Sequence, residues 1–235
     1  MAEEKTTKLK KSFVDEMKAR ILSGQLCPGD RLPSERDLAL EMGISRTSVN
    51  QGILDLERMG FLRVVPRRGI YVADYINNAT ALTVAAVMQY DSTMIAPQLF
   101  HDFMDFRILV ERECVRLACQ RMNDEIREQL QHAVERLRKE VGEGLADAVY
   151  EFHRLLTLLS GNGAYSIAFC SFESLIRKLT NARYKESDEF AKSLPWYERL
   201  TDALCRRDAV TADACLQEML SRSSVYLDTL LREQL

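Results

Sequence analysis

The sequence predicts a mainly α-helical protein in two parts, a small N-terminal α+β unit and an all-α helical bundle. Glycine and proline turn signals concentrate before Val72, whereas long amphipathic segments with few breakers follow. The pattern changes near residues 74–80, which predicts domains at residues 1–75 and 76–235. With 235 residues, 46% of them hydrophobic, the chain is long enough to build two modest cores.

Two short helices are predicted at the start of the first part. Apolar residues recur at helical spacing over roughly residues 9–23, and Gly24 ends that helix. Ser34 is a good N-cap for a second helix, with Asp37 three residues later as a variant capping box. Gly43 ends this helix, as the turn of a helix-turn-helix requires.

A third helix and a hairpin complete the first part. Ser45 caps the helix, and Gly60 closes it. Two β-like runs, 62–65 and 69–72, flank Pro66-Arg67-Arg68 and predict a tight hairpin. This order of elements predicts a winged helix-turn-helix. In this fold the second helix of the helix-turn-helix motif, here the third helix of the chain, binds DNA.

The start of the third helix is the candidate DNA-reading element. The N-terminal residues of a recognition helix reach base edges, and Arg46 can pair with a guanine through two hydrogen bonds. Arginines on the preceding helix and the wing would extend the contacts to phosphates. Solvated surface charge is the alternative for Arg67 and Arg68. The candidate DNA-binding residues are Arg36, Ser45, Arg46, Thr47, Ser48, Asn50, Arg67, Arg68 and Gly69.

The charge distribution agrees with DNA contact through the first part only. The net charge is −3. Residues 1–75 hold 13 basic and 11 acidic residues, whereas residues 76–235 hold 19 and 24. The positive balance of the first part suits a phosphate partner.

The motifs of the first part carry a family resemblance. Residues 28–39 read PGDRLPSERDLA, residues 43–49 read GISRTSV, and residues 69–72 read GIYV. Together they resemble the GntR family of bacterial transcription regulators over roughly residues 10–73.

That resemblance assigns roles to individual residues. It implies that Arg36, Arg46, Thr47 and Ser48 occupy DNA-contacting positions, and that Gly69 lets the wing approach the groove. The sequence departs from the family pattern at two positions, with Asn50 where arginine is common and Arg67 where glycine is common.

The second part resembles the FadR subfamily. The similarity rests on Phe106-Arg107-Ile108-Leu109-Val110-Glu111, on Phe152-His153 with Ser160-Gly161-Asn162, and on Arg206-Arg207-Asp208. It implies a helical bundle with an internal effector cavity. It also implies a homodimer on a palindromic operator in double-stranded DNA, expected to act as a repressor. The effector would shift the two DNA-binding heads by binding one arrangement better than the other.

Many FadR-subfamily members bind a metal through one aspartate and three histidines. In this sequence Val149, Tyr197 and Met219 stand at or near three of those positions, and only His153 remains. Such side chains do not supply the carboxylate and imidazole ligands of a divalent ion. We therefore expect no metal and no cofactor. A hydrogen-bonded interior histidine is the alternative to a ligand role for His153.

Because it lacks the metal ligands, the second part resembles the acyl-CoA-responsive members of the subfamily more than the metal-binding ones. Asp91, residues 97–99 and Arg107 also follow one another in an order similar to that of the acyl-CoA-responsive members. The effector is expected to be a fatty acyl thioester or a small organic acid. Arg107 is the candidate for its anionic group, and an internal salt bridge to Glu111 is the alternative. The candidate effector-binding residues are Arg107, Tyr150, His153, Tyr197 and Tyr226, although the tyrosines equally fit a plain core.

Other classes of protein have less support. No apolar run is long enough to span a bilayer, and the first residues do not form a secretory signal, so we expect a cytoplasmic protein without a membrane partner. The six cysteines form no C-x-x-C pair and fit core positions. No nucleophile elbow, P-loop or Rossmann glycine pattern predicts an enzyme. A helical interaction module with a winged helix that does not bind DNA remains the alternative.

Overall fold

A computed structural model describes residues 2–88, 97–141, 143–184 and 187–233. Side chains are described for residues 9–87, 98–141, 144–184 and 190–225. The chain divides into two compact units, Met1–Ala96 and Pro97–Leu235. In the described ranges, no helix is both long enough and apolar enough to cross a membrane.

The first unit contains the predicted helices and hairpin. Its elements are α1 (Ala2–Leu22), α2 (Glu35–Met42), α3 (Arg46–Arg58), β1 (Leu62–Val65), β2 (Gly69–Val72) and α4 (Ala81–Met88). The core forms where α1 crosses α3. A side chain at Gly52 would overlap the ring of Phe13, so the two helices approach closely there. The structure confirms the predicted mainly α-helical fold class with a small two-stranded sheet.

Side-chain caps fix the helix-turn-helix. Ser34 Oγ accepts a hydrogen bond from Asp37 N, and Gly43 ends α2 in the left-handed conformation with φ of 64°. Ser45 Oγ accepts from Ser48 N at the start of α3. The predicted caps are therefore confirmed. By contrast, α1 starts at Ala2, earlier than predicted, because residues 2–8 carry no apolar period that a sequence pattern can detect.

The wing is a two-stranded antiparallel hairpin. Leu62 pairs with Val72 and Val65 with Gly69. The chain before α2 adds a short third edge, since Leu32 N donates to Ile70 O at 2.9 Å and Val72 N donates to Asp30 O at 2.9 Å. The buried residues of β2 anchor the sheet on the helices, which leaves its other face exposed.

The compact first unit extends beyond the predicted first domain. Thr83 Oγ1 on α4 donates to the carbonyl of Met59 at 2.7 Å, just after the last turn of α3. Thr83 is 2% exposed. This bond fastens α4 to the end of α3, so the helix after residue 75 is part of the first unit.

The second unit is helical throughout its described residues. Its elements are α5 (Pro97–Arg121), α6 (Asp124–Lys139), α7 (Glu143–Leu159), α8 (Gly163–Ser171), α9 (Glu173–Arg183), α10 (Ser187–Cys205) and α11 (Ala209–Glu233). The core lies where α5 and α7 meet α10 and α11, around fully buried residues such as Val115, Phe152, Leu200 and Leu216.

Two sequence markers of this unit turn out to be helix ends. Arg207 has a φ of 59° and donates to the carbonyl of Met122 at the end of α5 at 2.5 Å. Asp208 accepts a hydrogen bond from Thr211 N at the start of α11. Asn162 caps α8 in the same way after α7 ends. These markers thus set where helices stop and start.

Candidate DNA-binding surface and effector cavity

The first turn of α3 is open to solvent in the first unit. Ser45, Arg46 and Thr47 are exposed. The cap uses Ser45 Oγ, which accepts from Ser48 N at 3.1 Å. The free N–H groups at a helix start attract anions, and Arg46 adds a full positive charge at this place.

Two of the predicted residues have structural partners. Ser48 is 1% exposed and its Oγ lies 2.9 Å from Ser45 Oγ, within hydrogen-bond distance. Its hydroxyl therefore contacts the N-cap of α3. Asn50 is exposed, and its Nδ2 donates to Glu35 Oε1 at 3.0 Å. This bond ties α3 to the first turn of α2, next to Arg36.

Four arginines of the first unit are available to a ligand. Arg36, Arg46, Arg67 and Arg68 are exposed, and none of them forms an ion pair with the described residues. Some basic side chains of the unit are paired, as in the bond of Arg20 with Glu16 and Glu41, whereas others, such as Arg31 and Arg58, are also exposed without an ion pair to the described residues. The four arginines named first lie on α2, at the start of α3 and at the wing tip.

The backbone at the wing tip shows what the departure from the family pattern at residue 67 changes, where arginine replaces the common glycine. Arg67 adopts a φ of 62°, in the left-handed region that favours glycine. Gly69 follows with a φ of 123°. The turn closes when Arg68 N donates to Val65 O at 3.0 Å. Arginine at residue 67 therefore carries some backbone strain and places a guanidinium at the tip.

The second unit contains a buried charged network across three helices. Arg107 Nε donates to Glu111 Oε1 at 2.5 Å, so the internal salt bridge considered from the sequence is present. Glu111 Oε2 lies 2.5 Å from His153 Nδ1, and His153 Nε2 lies 3.4 Å from Tyr197 Oη. Glu111 is 0% exposed and His153 is 1% exposed. The network joins α5, α7 and α10.

The protonation states follow from burial and charge. Burial alone raises the pKa of Glu111, but the charge of Arg107, the charge that His153 gains when it is protonated, and hydrogen bonds from both residues outweigh it, and the pKa falls to about 2. Burial lowers the pKa of His153. Burial also raises the pKa of the Tyr197 hydroxyl. We therefore assign a neutral His153 that donates from Nδ1 and accepts from Tyr197 at Nε2.

A small cavity of about 20 Å³ lies beside this network. Its wall includes two arginines, one from α5 and one from α9. It is lined by Arg107, Val149, His153, Leu179, Thr180, Arg183, Tyr184, Tyr197, Met219, Leu220 and Ser223. The structure thus brings together three of the predicted effector residues, Arg107, His153 and Tyr197.

Tyr150, another predicted effector residue, is not in this wall. Tyr150 lies elsewhere, with its ring stacked on Phe169 and the guanidinium of Arg177 4.4 Å from its centroid. The side chain of Tyr226 is outside the described residues, and so is Asp91. Tyr150 is thus part of the packing between α7, α8 and α9.

Arg183 was missed by the sequence reasoning. It is 7% exposed, and its guanidinium lies 5.0 Å from the centroid of Tyr184. A signal was present in the sequence, because Ile176, Leu179 and Arg183 share one face of α9. An arginine that continues an apolar stripe points inward with it.

The cavity also brings together the positions where the subfamily resemblance puts metal ligands. Val149, His153, Tyr197 and Met219 all line it. Only His153 is a strong donor to a divalent ion, and it is already bonded to Glu111 and Tyr197. Among the residues that the structure describes, no three His, Cys, Asp or Glu side chains are grouped to hold a metal. These residues do not fit such a site, and the absence of a metal stays a prediction.

Comparisons with known proteins assign both units. The family model "Bacterial regulatory proteins, gntR family" matches residues 9–72, and the FCD domain model matches residues 102–222. The chain is similar to the uncharacterized HTH-type transcriptional regulator YcbG of Bacillus subtilis, 26% identical over 90% of this chain and 87% of that protein. It is also similar to the fatty acid metabolism regulator protein of Salmonella paratyphi C, 24% identical over 80% and 77% of the two chains.

Solved structures share the fold. Lar, which controls the expression of the Listeria monocytogenes agr system, aligns with a TM-score of 0.60 at 15% identity, over 92% of this chain and 94% of that one. E. coli McbR/YncC aligns with a TM-score of 0.50 at 19% identity, over 96% and 98%. At these identities the likeness concerns the fold alone.

Proposed function

The chain belongs to the gntR family of bacterial regulatory proteins and is a transcription regulator with an FCD effector-binding domain, and we propose that the first turn of α3 and the wing bind double-stranded DNA. The observation that carries the proposal is the set of exposed arginines without ion pairs on α2, α3 and the wing tip. The named relatives are regulators, which agrees with a role other than catalysis.

The residues divide between base reading and phosphate contact. Arg46 at the exposed first turn of α3 is proposed to read a guanine, and Thr47 beside it a base or phosphate. Arg36, Arg67 and Arg68 are proposed to bind phosphates, which fixes the register of the helix in the groove. Ser48 supports this arrangement through its contact with the Ser45 cap.

A homodimer on a palindromic operator completes the DNA-binding proposal. Two copies of α3 about 34 Å apart would reach successive turns of the major groove. The effector would change DNA affinity by binding one arrangement of the dimer better than the other.

The effector is proposed to be a small organic anion held by Arg107 in the cavity of the second unit. Arg107 bonds Glu111 through Nε, and its two terminal nitrogens have no hydrogen bond to the described residues. A guanidinium edge of this kind takes a carboxylate. The cavity of about 20 Å³ is far smaller than ordinary ligand sites, so its lining side chains must move to admit an effector, and they must move less for a small acid than for a long acyl thioester.

A gel-shift assay with the DNA upstream of the chain's own gene tests the DNA-binding proposal. We expect Arg46→Ala to weaken the specific shift by roughly 5- to 150-fold, the equivalent of about 1–3 kcal/mol. Arg58→Ala is the matched control, because Arg58 is equally exposed but lies in the last turn of α3, and its shift should match the wild type. An unchanged shift for Arg46→Ala contradicts the assigned recognition helix. If neither the wild type nor a variant shifts the DNA, the result supports the alternative of a helical interaction module.

Thermal unfolding with added ligands tests the effector proposal. Acetate, pyruvate and citrate are the small-acid probes, and oleoyl-coenzyme A represents the fatty acyl alternative suggested by the Salmonella relative. We expect a small acid to raise the midpoint temperature of the wild type. Arg107→Lys should reduce that rise, while Arg116→Lys, at an exposed position on the same helix, should leave it unchanged. If only oleoyl-coenzyme A raises the midpoint temperature, the proposed effector is an acyl thioester and not a small acid.

A further inference from the structure

We propose that Arg31, on the edge segment beside the wing, is a further phosphate-contacting residue, and that the missing side chain at Gly69 lets it take its position. The proposal rests on the proposed DNA binding of the first unit. Arg31 lies outside the helix-turn-helix and the wing tip, and the sequence motifs gave it no role of its own.

Strand pairing puts Arg31 on the outer face of the wing. Arg31 forms an antiparallel bridge with Tyr71, and Tyr71 also pairs with Arg63 on β1. Directly opposed residues in antiparallel strands project to the same face. The alternate residues Ile70 and Val72 are buried. The outer face therefore carries a row of Arg31, Tyr71 and Arg63, with exposed arginines at both ends.

Gly69 receives the Arg31 side chain. A methyl group built on Gly69 would lie 3.0 Å from Nε of Arg31 and 3.4 Å from its Nη2. The guanidinium thus lies beside the start of β2, just after the tip residues Arg67 and Arg68. The positive φ of Gly69 makes a side chain unfavourable there as well.

The charge of Arg31 is not compensated inside the first unit. No ion pair with the described residues involves it. The neighbouring carboxylate of Asp30 instead accepts a hydrogen bond from Cys27 N at 2.7 Å. A planar guanidinium held against the backbone keeps donors available, and these suit the oxygens of a phosphate. Together with Arg67 and Arg68 it extends the positive surface from the wing tip towards its base.

A salt series separates this contact from ordinary surface charge. The probes are a random-sequence duplex of about 30 base pairs and the upstream fragment, and the proteins are the wild type, Arg31→Gln and Arg58→Gln. A lost phosphate contact makes the negative slope of log K against log salt shallower by about 0.9 and weakens binding to both duplexes by the same factor. We expect this for Arg31→Gln and wild-type behaviour for Arg58→Gln. Arg31→Lys should keep the slope, because it keeps the charge.

A double-mutant cycle tests the role of Gly69. If Gly69 acts by seating Arg31, Gly69→Ala in the Arg31→Gln background should weaken binding to the random duplex no further than Arg31→Gln alone. Thermal unfolding of each variant checks that the wing still folds. Additive losses would contradict the seating role.

The outcomes distinguish the two proposals. If the wild type shifts the DNA and Arg31→Gln has the same salt slope as the wild type, the Arg31 proposal is overturned and the proposed function stays in place. The absence of any wild-type shift on either duplex overturns both.

Discussion

The arginines at the two candidate sites, one in each unit, have opposite surroundings. In the first unit Arg36 and Arg46 are exposed and form no ion pair with the described residues. In the second unit the side chain of Arg107 is 9% exposed and bonded to Glu111, which is fully buried. An exposed charge is hydrated and available to phosphates, whereas a buried charge needs a partner to exist at all. The comparison teaches that the same residue type is left exposed for a proposed phosphate contact on one unit and organises the interior of the other.

The largest expected effect comes from removing the buried carboxylate. Glu111→Gln leaves Arg107 buried without its counter-charge, and breaking such a pair costs about 3–5 kcal/mol in the free energy of unfolding. Urea unfolding measures it. Glu113→Gln, on the same helix in a partly exposed pair with Arg116, is the control and should change stability by less than about 1 kcal/mol. Equal effects of the two variants would contradict the contrast between the units.

Acid should weaken the same network. The pKa of Glu111 in the folded protein is about 2, below its ordinary value of 4.5. Its contribution to stability is therefore present above about pH 4.5 and lost as the pH falls towards 2. Urea midpoints of the wild type should fall over this range more steeply than those of Glu111→Gln. Parallel pH profiles would show that Glu111 is not held ionised in the fold.

His153 should give a smaller effect at milder pH. His153→Gln removes a donor to Glu111, which costs about 1–3 kcal/mol when the carboxylate oxygen is left unsatisfied. Because the folded state keeps His153 neutral, the unfolded state takes up a proton below about pH 6.5 and wild-type stability falls there. Urea midpoints at pH 8 and pH 5 should therefore differ less in His153→Gln than in the wild type. The same drop in both proteins would contradict a neutral buried His153.

The cap of α3 should matter less for stability than the buried network. Ser45→Ala removes the oxygen that accepts from Ser48 N at 3.1 Å, and a lost N-cap costs about 1 kcal/mol. Ser45→Asp restores a cap and should recover the loss, as measured by urea unfolding. A full loss in both variants would show that the cap is not what Ser45 contributes.

The smallest effect is expected from a surface pair of the first unit. Lys10 Nζ lies 2.9 Å from Asp55 Oδ2, with both side chains about one third exposed. Asp55→Asn should lower stability by no more than about 1 kcal/mol, because water and salt screen such pairs. A loss as large as that of Glu111→Gln would remove the contrast drawn between exposed and buried charge.

Local features of the fold could be predicted from the sequence, and interior contacts could not. Ser34, Gly43 and Ser45 set the helix-turn-helix through bonds within a few residues, so their pattern is readable in the chain. The wing strands follow from the turn residues between them. The Arg31 contact with Gly69, by contrast, joins residues far apart in sequence and has no local signature.

The cavity shows the same limit inside the second unit. His153 and Tyr150 lie three residues apart on α7, yet only His153 faces the cavity. Both are buried, because α7 is packed on most of its circumference. Periodicity predicts that such residues are interior, but it does not say which neighbouring helix each one meets.

Amide hydrogen exchange with and without the upstream duplex tests the central claim most directly, because it reports where DNA covers the chain. The account predicts slower exchange at residues 45–49 and 67–69 on adding DNA, with the core amides of α7 unchanged. Protection confined to other segments, with residues 45–49 exchanging as in the free protein, would contradict it.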